Sequence, residues 1–202
     1  MDIVLASASP RRAQLLRQLG LRFTVYAPAG GEDPEDVAPS GPAPGEDPVA
    51  AARHAARSLA EAKAASAAAA YPRAVVIGAD TIVVACGRFL AKPADAAEAA
   101  AMLRALSGRR HHVVTGVAVV RREPALQLSD TAVTAVWFRP LADDEIARYV
   151  ASGEPLDKAG AYGIQGRAAL FVERIEGDYF TVVGLPLAVL GKLLAQAGVV
   201  LP

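Results

Sequence analysis

Apolar residues recur along this chain with two periods, and the switches between them mark alternating strands and helices. Residues 3–5 form a short apolar run that reads as a strand. Leu15, Leu16 and Leu19 then share one helix face, with Ser9 placed to cap that helix, Pro10 to open it and Gly20 to close it. Residues 22–26 alternate as a second strand. Asp47-Pro48 opens a long alanine-rich helix that runs to about Ala70. Residues 74–78 and 82–85 are apolar and largely β-branched, so both read as strand, with Asp80 between them. Cys86-Gly87-Arg88 turns the chain, making residues 81–90 a hairpin. Asp95 caps a helix carrying Met102, Leu103 and Leu106. Residues 113–120 and 126–138 read as antiparallel strands. Asp143, Asp144 and Glu145 suit the start of a helix that Gly153 closes. Residues 168–175 and 179–183 read as two strands around a turn at Glu176-Gly177-Asp178. A last helix carries Leu187, Leu190, Leu193 and Leu194 and ends at Gly198.

Two segments break the pattern. Residues 27–48 hold six prolines, six acids and no Lys or Arg, which predicts a mobile surface loop. Residues 153–166 hold four glycines, a proline and several polar groups between structured elements, which suits close approach of backbone to a ligand. With strands and helices alternating early and antiparallel pairs late, the expected fold is mixed α/β. No GxGxxG opens a helix after a strand and no GxxxxGK[ST] occurs, so dinucleotide-fold and P-loop assignments lack support.

At 202 residues the chain can bury a substantial core as one domain, and 53% hydrophobic content supports a folded protein. Lys plus Arg balance Asp plus Glu at 21 each, so no global basic field attracts nucleic acid. The single cysteine, Cys86, excludes an internal disulfide. The first residues lack the basic and apolar regions of a signal peptide, and no uncharged apolar run reaches the roughly 18 residues of a membrane span. A cytoplasmic protein without membrane or nucleic-acid partners is therefore expected.

Local chemistry departs from this bland background at three places. Arg11 and Arg12 occupy the first turn of a helix, where the dipole already favours anions and acids belong. Together with Ser7, Ser9 and open N–H groups they form a receptor for a polyanion such as a phosphate chain; solvent-facing arginines are the plain alternative. Asp80 sits between two apolar strand runs, where a carboxylate needs a cation, a metal or a break in the strand. Lys92, between a strand end and Pro93, is held more rigidly than Lys63, which sits on a helix where lysines are usually exposed. His111 and His112 face opposite sides of a strand and cannot chelate one ion together. Gln165, between Ile164 and Gly166, offers a donor and an acceptor to a base edge.

The segments Leu5-Ala6-Ser7-Ala8-Ser9-Pro10-Arg11-Arg12 and Gly78-Ala79-Asp80-Thr81 resemble motifs of the Maf family of nucleotide pyrophosphatases, also known as septum-formation inhibitors. Lys92-Pro93, Ser107-Gly108 with His111, Thr115-Gly116, residues 156–166 and Val183-Gly184-Leu185-Pro186 follow in that family's order. The resemblance implies an extended mixed sheet flanked by helices, with a cleft between two lobes. It implies hydrolysis of a nucleoside triphosphate between the α and β phosphates with a divalent metal, Mg²⁺ or Mn²⁺. Asp80 matches the proton acceptor; Ser7, Arg12, Lys63 and Lys92 match phosphate-binding positions; Glu32 and Asp80 match the metal positions. Arg11, Thr81 and Gln165 match positions of substrate choice and resemble the branch acting on dTTP and UTP. A homodimer is also implied. The family's septum-related name leaves a second expectation, a nucleotide-sensing regulator of cell division without relevant turnover. The chain departs from the family in its longer acidic loop and in Ala62, which stands directly before Lys63 where the family has Glu.

Overall fold

The computed structural model describes residues 1–26 and 41–201. In chain order the elements are β1 (Ile3–Ala6), α1 (Pro10–Gln18), β2 (Thr24–Val25), α2 (Pro48–Ala70), β3 (Val75–Ala85), β4 (Arg88–Leu90) and α3 (Ala96–Leu106). Then follow β5 (Arg110–Arg121), β6 (Leu126–Phe138), α4 (Asp143–Ala151), β7 (Val172–Glu176), α5 (Tyr179–Val183) and α6 (Leu187–Gln196). Short 3₁₀ turns occupy Glu154–Asp157, Ala159–Ala161 and Arg167–Phe171. The strands form one seven-stranded sheet in the order β2-β1-β3-β5-β6-β7, with β4 also on β3. Strand β1 runs parallel to β2 and β3, whereas β4, β5, β6 and β7 pair antiparallel. The expected mixed α/β architecture is thus what forms, with a parallel part and an antiparallel part meeting at β3.

Alternation along β3 and β5 assigns the two faces of the sheet. On one face Val76, Ala118 and Val120 pack with Ala60, Ala64, Ala67 and Ala68 of α2. On the other, Val75, Ile77, Val113 and Val117 join the larger core with Leu16, Leu103, Ile146 and Leu190 from α1, α3, α4 and α6. Small residues let α2 lie unusually close. A Cβ on Gly78 would overlap the Ala60 carbonyl oxygen, and one on Gly116 would overlap that of Ala56. Glycine is required at both sheet positions because the helix backbone fills the space a side chain would need.

The sequence misreads the chain between 167 and 183. The first part coils into a 3₁₀ turn before a short β7, and 179–183 is helix rather than strand. The aromatic and β-branched content of that run favours strand, but Asp178 overrides it. Its carboxylate accepts from the N–H groups of Phe180 and Thr181, and Gly184, at φ +115°, ends the helix. No helix among the described residues is long and apolar enough to cross a membrane.

Candidate active site

A cleft of about 760 Å³ opens where β3 outruns β1. The β1–β3 pairing stops at Ala6 and Gly78, and β4 joins β3 only from Val83 onward. Between them residues 79–82 form a stretch of strand edge that no described strand covers. Asp80 points to the α2 face and Thr81 to the opposite face, and the cleft reaches both. Arg11, Arg12, Asp80, Thr81, Lys92 and Gln165 all line it. These six sequence-predicted positions therefore meet at one cavity, despite spanning most of the chain, whereas Ser7 and Lys63 are not among its lining residues. Glu32 lies outside the described residues.

On the α2 face, Lys63 Nζ donates to Asp80 Oδ1 at 2.7 Å. Both residues are buried. The close seating of α2 on Gly78 and Gly116 brings the lysine there, so the ordinary expectation of a solvent-exposed helix lysine fails. Strand β3 runs unbroken through Asp80; the carboxylate is satisfied by a cation rather than by a strand break. Lys63 sits behind the cleft wall rather than on it.

On the other face Arg12 is buried, and three bonds to described residues hold it. Its Nε donates to the Gly184 carbonyl (2.9 Å), Nη1 to Ser7 Oγ (3.0 Å) and Nη2 to Thr81 Oγ1 (3.2 Å). Ser7 Oγ also accepts the Ser9 N–H at 3.2 Å. Ser9 is the N-cap of α1 by backbone position, yet its hydroxyl makes no capping bond, contrary to the sequence expectation. Pro10 at the first helical position and Ala8, Ser9 and Arg11 at the cleft wall present the positive end of the α1 dipole to the cavity.

The segment after α4 forms the opposite wall. Arg11 Nη1 lies 3.7 Å from Asp157 Oδ2. Lys158 Nζ holds Asp157 Oδ1 and the Glu154 carbonyl, each at 2.7 Å. Glu154 in turn accepts from the Tyr149 hydroxyl (3.1 Å) and the Arg167 N–H (3.2 Å), tying together both ends of the loop that carries Gln165. Gln165 itself is exposed at the cavity mouth, as is Lys92. At the cleft floor Tyr162 O–H meets His111 Nε2 at 2.8 Å, and Phe138 packs edge-on against both rings. Burial, with a smaller contribution from His112, pushes His111 down to about 4, and burial raises the Tyr162 phenol. His111 is thus a neutral core residue whose neighbour belongs to the cleft loop, while His112 is only half-buried.

Sequence reasoning gave no role to Thr115, Glu154, Asp157 or Lys158. Thr115 is fully buried between Thr81 Oγ1 (3.0 Å) and the Thr181 carbonyl (2.8 Å). A threonine in a valine-rich strand was the available signal: a hydroxyl in a core needs partners. The other three are local charges in a glycine-rich stretch, and their pairing depends on a fold of the loop that spacing does not specify.

A family model described as "Maf-like protein" matches residues 2–197. A dTTP/UTP pyrophosphatase from Moorella thermoacetica is 53% identical over 197 residues, covering 98% of this chain and 95% of the relative. Proteins of the same name from Koribacter versatilis and Geobacter sulfurreducens are 48% and 50% identical, covering 98% and 97% of this chain and 96% of each relative. Matched over nearly its whole length in both ways, the chain belongs to the Maf-like protein family.

Proposed function

We propose that the cleft hydrolyses dTTP and UTP between the α and β phosphates, giving the monophosphate and pyrophosphate. The observation that carries this is the gathering of Asp80, Arg12 and Lys92 with Arg11 and Gln165 around one cavity. The names of relatives about half identical to the chain point the same way.

Attack of water on phosphorus needs a proton acceptor and cations beside the phosphate oxygens. Asp80 is assigned the proton: Lys63 fixes its Oδ1, so Oδ2 is the oxygen that meets the water. Arg12, immobilised by Ser7, Thr81 and Gly184, supplies a positive wall that costs no reorganisation when the triphosphate arrives. Lys92 at the rim adds a point charge, and the α1 N-terminus adds N–H donors. Ser7 and Lys63 act from behind, by holding Arg12 and Asp80, rather than by touching phosphate themselves. Arg11 and Gln165 face the nucleoside end.

A divalent cation fits this donor set. Among the described residues no three of His, Cys, Asp and Glu gather. Mg²⁺ characteristically takes one or two carboxylates and completes its shell with phosphate oxygens and water. Asp80 would hold it, with Glu32 as the second carboxylate the resemblance implies. Bound there, the ion would neutralise phosphate charge and acidify a coordinated water. Free nucleotides as substrates would place the enzyme in the cytoplasm.

The test is pyrophosphate release from a panel of nucleoside triphosphates with Mg²⁺ or Mn²⁺. Preferential release from dTTP and UTP is expected. No release from any nucleotide would instead favour the nucleotide-sensing regulator.

A further inference from the structure

We infer that Thr115 is a positioning residue that fixes the hydrogen-bond polarity of Thr81, making that point of the cleft wall an acceptor and never a donor. This rests on the pyrimidine nucleotide pyrophosphatase reading above and deepens it.

The direction of each bond in the chain can be assigned without ambiguity. Thr115 Oγ1 lies 2.8 Å from the Thr181 carbonyl, which can only accept, so the Thr115 proton goes there. The contact between Thr81 Oγ1 and Thr115 Oγ1, 3.0 Å, must then use the Thr81 proton. Arg12 Nη2, which can only donate, points at Thr81 Oγ1 from 3.2 Å. Thr81 has therefore given away its one proton and received one bond. Half-exposed on the cleft wall, it keeps one lone pair for a ligand. Gly184, which accepts from Arg12 Nε, packs on the same hydroxyl: a Cβ there would come within 3.3 Å of Thr81 Oγ1. The rotor cannot turn without breaking the buried pair with Thr115, and Thr115 itself is fully out of solvent.

An acceptor-only group selects ligand edges that donate. Thymine and uracil carry N3–H; cytosine has a bare ring N3 at the same place, and two facing lone pairs repel. A phosphate oxygen, which can only accept, is likewise refused at that hydroxyl. Thr81 thus selects through a proton committed elsewhere, and Thr115 is what commits it.

The experiment compares kcat/KM for UTP and CTP in the wild type, Thr115→Val and Thr115→Ser, with Tm measured for each. Thr115→Val removes the acceptor, freeing the Thr81 proton to point into the cleft. The UTP-to-CTP preference should fall about tenfold, carried mainly by KM, since one hydrogen bond is worth on that order. Thr115→Ser, which keeps the hydroxyl, should restore the preference. A merely structural role would lower Tm and depress both substrates together; an unchanged ratio in Thr115→Val overturns the inference while leaving the activity standing. Should Thr115→Val not fold, the wild type decides with N3-methyl-UTP. A loss of about tenfold or more against UTP supports an acceptor reading N3–H, and equal turnover overturns it. No pyrophosphate from either UTP or dTTP with the wild type would overturn the underlying activity, and the inference with it.

Discussion

Lys63 Nζ meets Asp80 Oδ1 at 2.7 Å with side chains only 2% and 10% exposed, so the carboxylate assigned to catalysis is also half of a buried ion pair. Removing one member of such a pair strands the other, at about 3–5 kcal/mol. Asp80→Asn should abolish turnover and also lower stability by roughly 3 kcal/mol. Lys63→Met should cost a similar amount, and the double variant should be more stable than the sum of the two losses predicts. Urea unfolding of the four proteins measures the coupling; strict additivity would mean that the pair contributes nothing beyond its members.

The seating of α2 gives a second prediction. Gly116→Ala places a methyl group on the Ala56 carbonyl, and Gly78→Ala places one on that of Ala60. Overpacking of this kind costs about 1–3 kcal/mol. Gly78 meets Ala60 and Ala64, which lie either side of Lys63, whereas Gly116, although it pairs with Asp80 across the sheet, meets α2 earlier at Ala56, so Gly78→Ala should reduce kcat more than Gly116→Ala at a comparable loss in Tm. Steady-state kinetics beside thermal melts separate the two effects.

His111 predicts an acid-side loss of stability. Its ordinary value of 6.5 falls to about 4 in the fold because the charged form would be buried. Between those values the unfolded chain binds a proton that the folded protein refuses. Stability is therefore complete above pH 6.5 and declines as pH falls toward 4, by roughly 3 kcal/mol in all. Urea midpoints at about pH 7 and about pH 5 should differ in the wild type, and the difference should shrink in His111→Phe. An equal pH dependence in both proteins would place the effect elsewhere.

Gln165→Ala should raise KM for UTP and dTTP while leaving inhibition by bare tripolyphosphate unchanged, because Gln165 is exposed where the cavity opens whereas Arg12 and Asp80 are buried in its wall. Equal weakening of both would assign it to the phosphates.

The strands and most helices were legible because their apolar periods are clean, and the order of motifs told which residues would meet. The geometry that gives them roles was less visible. Nothing in the run Ala60 to Ala64 says that Lys63 points inward, since that depends on two glycines on distant strands. Tyr179 to Val183 reads as strand by composition, and only the Asp178 cap and Gly184 turn it into the short helix whose Thr181 carbonyl anchors Thr115. Ser9 caps by position but not by side chain, and its N–H instead donates to Ser7 Oγ in the cluster around Arg12.

The uncovered stretch of β3 has a consequence for how the enzyme can change over evolutionary time. Asp80 and Thr81 are joined by one peptide bond, yet they belong to different packing layers, one against α2 and the other against α1 and α5. Mutations that retune base preference can accumulate in the second layer without disturbing the alanine–glycine seam that fixes Lys63 and Asp80. Selectivity can drift while the hydrolytic machinery stays anchored, and the two are joined by a single backbone link on a strand edge that no described strand covers.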